Sequence, residues 1–305
     1  MFYLRLPGNK NCQVKKFHII SRREPLMREL ASALKKKGYL VTFSSDSDQT
    51  GAIDKDTDTV IAPVGMDYDH PEVTVAKRIG AEVVSFTEFI ARQTKNKTRV
   101  VIRENRPYGQ ILPLVCFVLK RRNILYDLAA TDVAFPSEPR ISLSYDARIA
   151  LLEGERKLES PVEDKIPVGY LYNPHILVMP RFQWVKGGAF ETPTAFLNFH
   201  KKLIAQIERD GKFIYNAAYP VLRELSDAVR EDVTALPYTP QHVLSITYPE
   251  TELETRYGKI TVKAADEEDI ADIFAAESIC RQLGVKGSDF FSLVGEYSFK
   301  TGKPC

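Results

Sequence analysis

Residues 98–122 read TRVVIRENRPYGQILPLVCFVLKRR, and the fold turns on this stretch. Val100, Val101 and Ile102 are the β-branched run that fills a strand buried on both faces of a parallel sheet. Ile111, Leu112, Leu114, Val115, Phe117, Val118 and Leu119 have the spacing of a well-buried helix. Between strand and helix lie Arg103, Glu104, Asn105, Arg106, Pro107, Tyr108, Gly109 and Gln110. A strand, a short loop and a helix inside an α/β chain mark the place where nucleotide enzymes cradle phosphate on backbone amides. This loop has the place of a P-loop without its chemistry. It carries one glycine, no lysine, and no Lys-Ser/Thr pair for the β/γ-phosphates and Mg²⁺.

Upstream, the pattern predicts strands at 17–20, 39–43, 59–62 and 82–84, with helices at 26–37 and 71–79 among them, a polar loop at 44–58, and a helix at 87–93 after the last. Alternating strands and helices imply βαβ units and a parallel sheet with helices on its faces. The polar run 94–97, Thr-Lys-Asn-Lys, is the best break, giving domains at 14–94 and 95–305. Downstream, strands are expected at 123–128, 148–152, 175–179 and 212–215, and helices at 193–207, 220–230, 266–283 and 288–297. Thr192 followed by Pro193 reads as an N-cap and first turn. The span 232–263 reads as short strands with a hairpin near Tyr257-Gly258.

Composition narrows the function classes. A chain of 305 residues with 44% hydrophobic residues is long enough for two cores. A net charge of +2 gives no global attraction to nucleic acid or an anionic membrane. The basic cluster Lys95, Lys97, Arg99, Arg103 and Arg106, with Lys120, Arg121 and Arg122 beyond the helix, reads by default as a solvated face. Aromatics are nearly absent from it, which argues against single-stranded nucleic acid. Cys12, Cys116, Cys280 and Cys305 form no CxxC, and Cys116 and Cys280 sit in apolar helical contexts as core thiols would. His18, His70, His175, His200 and His242 show no metal-ligand spacing and read as structural or surface residues. The opening lacks the apolar run of a signal peptide and no 18-residue apolar segment occurs, so a cytoplasmic location is expected, with neither membrane nor nucleic acid as partner.

Longer segments carry a resemblance. FHIISRREPLMRELASALKKKGYLVTFSSD resembles the opening of the Mur ligases, the ATP-dependent enzymes that join amino acids or peptides to UDP-N-acetylmuramic acid. DHPEVTVAKRIGAEVVSFTEFIARQ is similar to the rest of their UDP-binding domain, with His70-Pro71-Glu72 standing where the family has Asn-Pro-Glu. ARIALLEGERKLESPV and YNPHILVMPRFQWVKGGAFETPTAFLNFHKKLI are similar to segments of the central ATPase domain. The match runs from about residue 15 to 296 and is nearest the muramate–alanine and murein tripeptide ligases. It implies a Rossmann-like N-terminal domain followed by a P-loop-NTPase-like central domain, here without the C-terminal ligase domain.

Each functional motif of the family departs from pattern. The glycine-rich UDP turn is Ser21, Arg22 and Arg23, which lacks glycine, so close backbone approach to pyrophosphate is lost; a solvated charged turn is the plainer reading. Glu104 and Pro107 replace P-loop glycines, and Tyr108 replaces its lysine. Glu153 keeps the family's magnesium-ligand glutamate, and Glu155 stands where the family has Asp. Lys186 replaces a metal-binding His, and an ammonium cannot coordinate a cation. It either serves as a built-in cation for Glu153 or Glu155 or waves in solvent beside Gly187-Gly188. Glu268-Asp269 stands where the family's His-Asn reads the adenine.

These departures lead to the expectation of a pseudoenzyme tied to peptidoglycan (cell wall) precursor synthesis or recycling. It would bind a protein partner or a UDP-N-acetylmuramate-type precursor and hold no metal or cofactor. The alternative is an active ATP- and Mg²⁺-dependent ligase with a modified site or a separate C-terminal domain.

Overall fold

A computed structural model describes residues 14–20, 24–44, 52–63, 66, 69–103, 109–131, 139–154, 171–186, 190–240, 243–247, 250–263 and 266–299. The chain divides into two compact units, Met1–Phe86 and Thr87–Cys305. The compositional break at 94–97 differs from this division by one helix.

The first unit is a four-stranded parallel sheet. Its strands are β1 (Lys16–Ile19), β2 (Leu40–Phe43), β3 (Thr59–Ala62) and β4 (Glu82–Ser85), in the order β2-β1-β3-β4. β1 lies inside the sheet between β2 and β3, and its residues on both faces, Phe17, His18 and Ile19, are buried. Helix α1 (Pro25–Lys36) opens with Pro25 in its first turn and buries Met27, Leu30, Ala31 and Leu34. That i, i+3, i+4, i+7 stripe is the apolar face of a helix lying on a sheet. Helix α2 (Pro71–Ile79) ends at Gly80, whose φ of 78° suits a residue without a Cβ. Helix α3 (Phe86–Gln93) leads onward.

In the second unit the stretch 98–122 becomes strand β5 (Thr98–Ile102) and helix α4 (Ile111–Arg121). Five further strands run parallel with or beside β5: β6 (Tyr126–Ala129), β8 (Ile149–Glu153), β9 (Ile176–Met179), β10 (Lys212–Asn216) and β11 (Thr234–Tyr238). The sheet order is β11-β10-β9-β5-β8-β6-β7, so β5 is central and pairs in parallel with β8 and β9. The last strand, β7 (Ile141–Ser142), is antiparallel to β6 and was not expected from sequence. Two residues are too few to show a period of 2. The strand expected from 123 starts instead at Tyr126, because Asn123 takes a left-handed φ of 55° in the turn that ends α4.

Helix α5 (Pro193–Ala205) begins as expected, with Thr192 accepting from the Ala195 amide at 3.1 Å. It ends two residues early. Helix α6 (Pro220–Asp227) also stops short of the expected 230. Strands β12 (Val243–Thr247), β13 (Glu250–Thr255) and β14 (Gly258–Val262) form a small antiparallel sheet whose hairpin closes between Thr255 and Gly258. Helices α7 (Glu267–Gln282) and α8 (Gly287–Val294) pack with α4 into the main core. Cys116 of α4 and Cys280 of α7 are free and buried there, as the apolar helical context suggested.

Candidate functional site at the ends of the central strands

In a parallel sheet of this order, ligands bind outside the carboxyl ends of the central strands. Here those ends are β8, β5 and β9, and the residues that leave them are Glu153-Gly154, Arg103 and Arg181. Arg103 is buried at 3% exposure. Its amide donates to the Val178 carbonyl at 2.9 Å, and its Nη1 donates to the Gly154 carbonyl at 2.9 Å. The guanidinium lies 5.5 Å from the centre of the Phe199 ring. A Cβ on Gly154 would stand 3.2 Å from Val101 and 3.4 Å from Arg103, so glycine lets β8 leave close against β5. Arg103 thus clasps neighbouring strand ends.

Glu153, the retained carboxylate, is buried at 5% exposure. Its Oε2 accepts from the Thr131 amide at 2.7 Å and the Thr131 hydroxyl at 3.3 Å, which ties it to the end of β6. Lys186 is exposed and, among the described residues, forms no ion pair with Glu153. Of the two sequence readings, solvent exposure is the one observed with respect to Glu153. Glu155, Gly187 and Gly188 lie outside the described residues, as do Ser21, Arg22, Arg23, Glu104, Asn105, Arg106, Pro107 and Tyr108.

The start of α4 carries the most informative geometry. Gln110 is its N-cap residue and is buried. The Gln110 amide donates to Oδ2 of Asp272, a fully buried residue of α7, at 3.3 Å. Arg181 Nη2 donates to the other oxygen of the same carboxylate at 2.8 Å and reaches the Glu268 carbonyl at 3.4 Å. Tyr297 donates its hydroxyl to Gln110 Oε1 at 3.1 Å. Pro113, in the first turn of α4, has no N–H to offer. An amide at a helix start is a ready anion donor, and here it meets a carboxylate of the chain itself. The first turn of α7 adds Glu267, Glu268 and Asp269, which suit that helix's positive end.

Lys97, Arg99 and Arg103 of the basic cluster are not on a solvated face, whereas Lys95 and Lys120 are exposed. Lys97 pairs with buried Asp127 at 2.6 Å, and Arg99 pairs with Glu208 at 2.6 Å. Arg99 also donates to the carbonyls of Lys95 at 2.8 Å and Asn173 at 3.0 Å. These residues sit on or beside the central strand, so their charges are buried and require partners. Those partners are remote in sequence, which is why a run of Lys and Arg looked merely solvated. Arg121 and Arg122 do lie at the surface, paired with Glu296 at 2.9 Å and Asp289 at 3.0 Å.

Of the second unit's histidines, His175 and His200 are structural, and His242 lies outside the described residues. His175 accepts the Arg99 amide on Nδ1 at 3.2 Å, and burial, then Arg99, lowers its pKa. His200 is buried among Phe182, Phe190, Phe196 and Phe199, with Nδ1 2.7 Å from the Phe196 carbonyl. Burial drives its pKa down to about 4, with a further push from Arg103.

In the first unit, His18 and His70 are joined by Glu72. His18 has Nε2 3.3 Å from Glu72 Oε1 and Nδ1 2.9 Å from Thr42 Oγ1. His70 caps α2 by accepting the Glu72 amide at 3.4 Å. The signal available in sequence was the His-Pro-Glu helix opening. Among the described residues, no three His, Cys, Asp or Glu are placed to hold a metal ion, and no helix is long and apolar enough to cross a membrane.

No protein-family model and no curated protein matches the sequence. Solved structures do match its fold. A UDP-N-acetylmuramate:L-alanyl-γ-D-glutamyl-meso-diaminopimelate ligase from Neisseria meningitides superposes with a TM-score of 0.73 at 13% identity, covering 96% of this chain and 100% of that one. A murein peptide ligase from Psychrobacter arcticus gives 0.74 at 13% identity, over 93% of this chain and 68% of that one. The UDP-N-acetylmuramate–alanine ligase of Thermotoga maritima gives 0.64 at 13% identity, over 92% and 68%. At that identity the likeness is one of fold. The chain has a Mur ligase-like fold, a Rossmann-like parallel-sheet unit followed by a P-loop-NTPase-like α/β unit.

Proposed function

We propose that this Mur ligase-like protein serves peptidoglycan precursor synthesis or recycling without ATP-dependent ligation, as a cytoplasmic pseudoenzyme that binds a protein partner or a UDP-N-acetylmuramate-type precursor. One observation carries the reading: the Gln110 amide at the start of α4 is bonded to the buried carboxylate of Asp272, which Arg181 holds in place. Phosphoryl transfer depends almost wholly on positioning and on stabilising negative charge. A fixed carboxylate at the helix start opposes both, and the loop sequence supplies no lysine to offset it. On this reading the described residues do not suit a nucleoside triphosphate with its magnesium.

Glu153 favours the second reading, an active ligase with a modified site, because it keeps a buried carboxylate at a strand end beside β5. Thermal unfolding in the presence of ligands separates the two. A ligand at a hundredfold its dissociation constant adds about 2.7 kcal/mol of apparent stability. ATP–Mg²⁺ at millimolar concentration should leave the transition unmoved. A shift of several degrees with ATP–Mg²⁺, lost in Glu153→Gln, would favour the active ligase instead. A shift with UDP-N-acetylmuramate alone would select precursor binding over a protein partner.

A further inference from the structure

A cavity of ≈ 270 Å³ opens in the second unit where β10 and β11 end, against the later turns of α7. It shares no lining residue with the Gln110–Asp272–Arg181 cluster. Three aromatic residues line it, Tyr238, Phe274 and Phe291, all buried. Its charged groups are Arg256, Glu277 and Arg281, and Thr239, Thr255 and Ser278 add hydroxyls. Arg256 is held in advance of any ligand. Its Nη2 lies 3.1 Å from Glu277 Oε1, and its guanidinium stacks over the Tyr257 ring at 4.9 Å. Tyr257 in turn rests on Gly287, where a Cβ would come within 2.3 Å of the phenol oxygen.

Arg281 lies one turn beyond Glu277 on α7, is exposed, and forms no ion pair among the described residues. Glu277 stands four residues before it, the spacing at which a helical pair would form, yet Glu277 bonds Arg256 instead. Among its described lining residues are two guanidiniums and one carboxylate, a surplus of one positive charge beside three aromatic rings. Concave apolar sites with a few convergent polar groups are where small ligands bind, and a guanidinium fork matches a carboxylate.

We propose that this cavity binds a small carboxylate carrying a flat apolar group, with Arg281 as the anion contact and Phe274 and Phe291 against the ring. The test uses benzoate as probe, with phenyl phosphate and benzamidine as controls, followed by ligand-observed NMR and calorimetry on the full chain. Benzoate should bind with a dissociation constant below about 1 mM, and benzamidine should not bind. Arg281→Met, at an exposed position that leaves the fold alone, should weaken benzoate at least about tenfold. Gly287→Ala should also weaken it, by displacing Tyr257 and the arginine stacked on it. Equal binding of benzamidine, a preference for phenyl phosphate, or unchanged benzoate affinity in Arg281→Met would each overturn the assignment.

Discussion

Replacing Arg181 with Met would test the buried pair at the start of α4. Asp272 has no exposed surface, and the Arg181 side chain is 11% exposed and 2.8 Å away. Removing one partner of such a pair strands the other charge, at a cost of roughly 3–5 kcal/mol, against roughly 0–1 for an exposed pair. The Gln110 amide remains as one compensating donor, so the lower end is expected, about 3 kcal/mol. For a domain of this size each kcal/mol moves the midpoint by roughly 2–4 °C, so a fall of about 6–12 °C should follow. Urea unfolding of Arg181→Met, Asp272→Leu and the double variant would resolve the coupling. The double variant should be more stable than the sum of the singles by at least about 1 kcal/mol, because a buried pair replaced by apolar groups leaves no stranded charge. Additive effects, or a loss under about 1 kcal/mol for Arg181→Met, would show that the carboxylate is not held as described.

Other consequences are separable. Asp272→Ala frees the Gln110 amide and leaves Arg181 as a local cation, so inorganic phosphate should stabilise this variant and not the parent; equal shifts would contradict the view that Asp272 stands in an anion site. His200, with its pKa pushed down to about 4 by burial, is neutral in the fold and protonates more readily when unfolded. Its contribution is full above about pH 6.5 and is lost as pH falls towards 4, roughly 3 kcal/mol in all at 1.36 kcal/mol per pKa step. His200→Phe should flatten that limb of the pH–stability curve. Thr192→Ala removes the cap of α5 and should cost about 1 kcal/mol by urea unfolding.

Much of the fold was legible because it is written locally. The periodic runs of β3 and α2 gave their bounds as observed, and Thr192-Pro193 announced the start of α5. Gly38 and Gly80 marked helix ends where positive φ is required. Expectations failed where a partner is far along the chain. Arg99 looked solvated until Glu208 closed on it, and Lys97 until Asp127 did. His18 meets Glu72 across 54 residues, and Gln110 meets Asp272 across 162. No periodicity reports such pairs. The strand and helix on either side of residues 103–110 were legible, but the bonding of Arg103 and Gln110 was not. Glu153 closes β8 where a strand was expected to lead into it, while its tie to Thr131 depends on β6 lying beside β8.

On the reading proposed above, the fold is used without ATP-driven ligation. Phosphate release from ATP with Mg²⁺, UDP-N-acetylmuramate, and either L-alanine or the murein tripeptide tests it directly, run in parallel on the unaltered chain and on Glu153→Gln. The account predicts release at the rate of the protein-free blank for both proteins. Release by the unaltered chain that disappears in Glu153→Gln would contradict it and make the protein an active ligase.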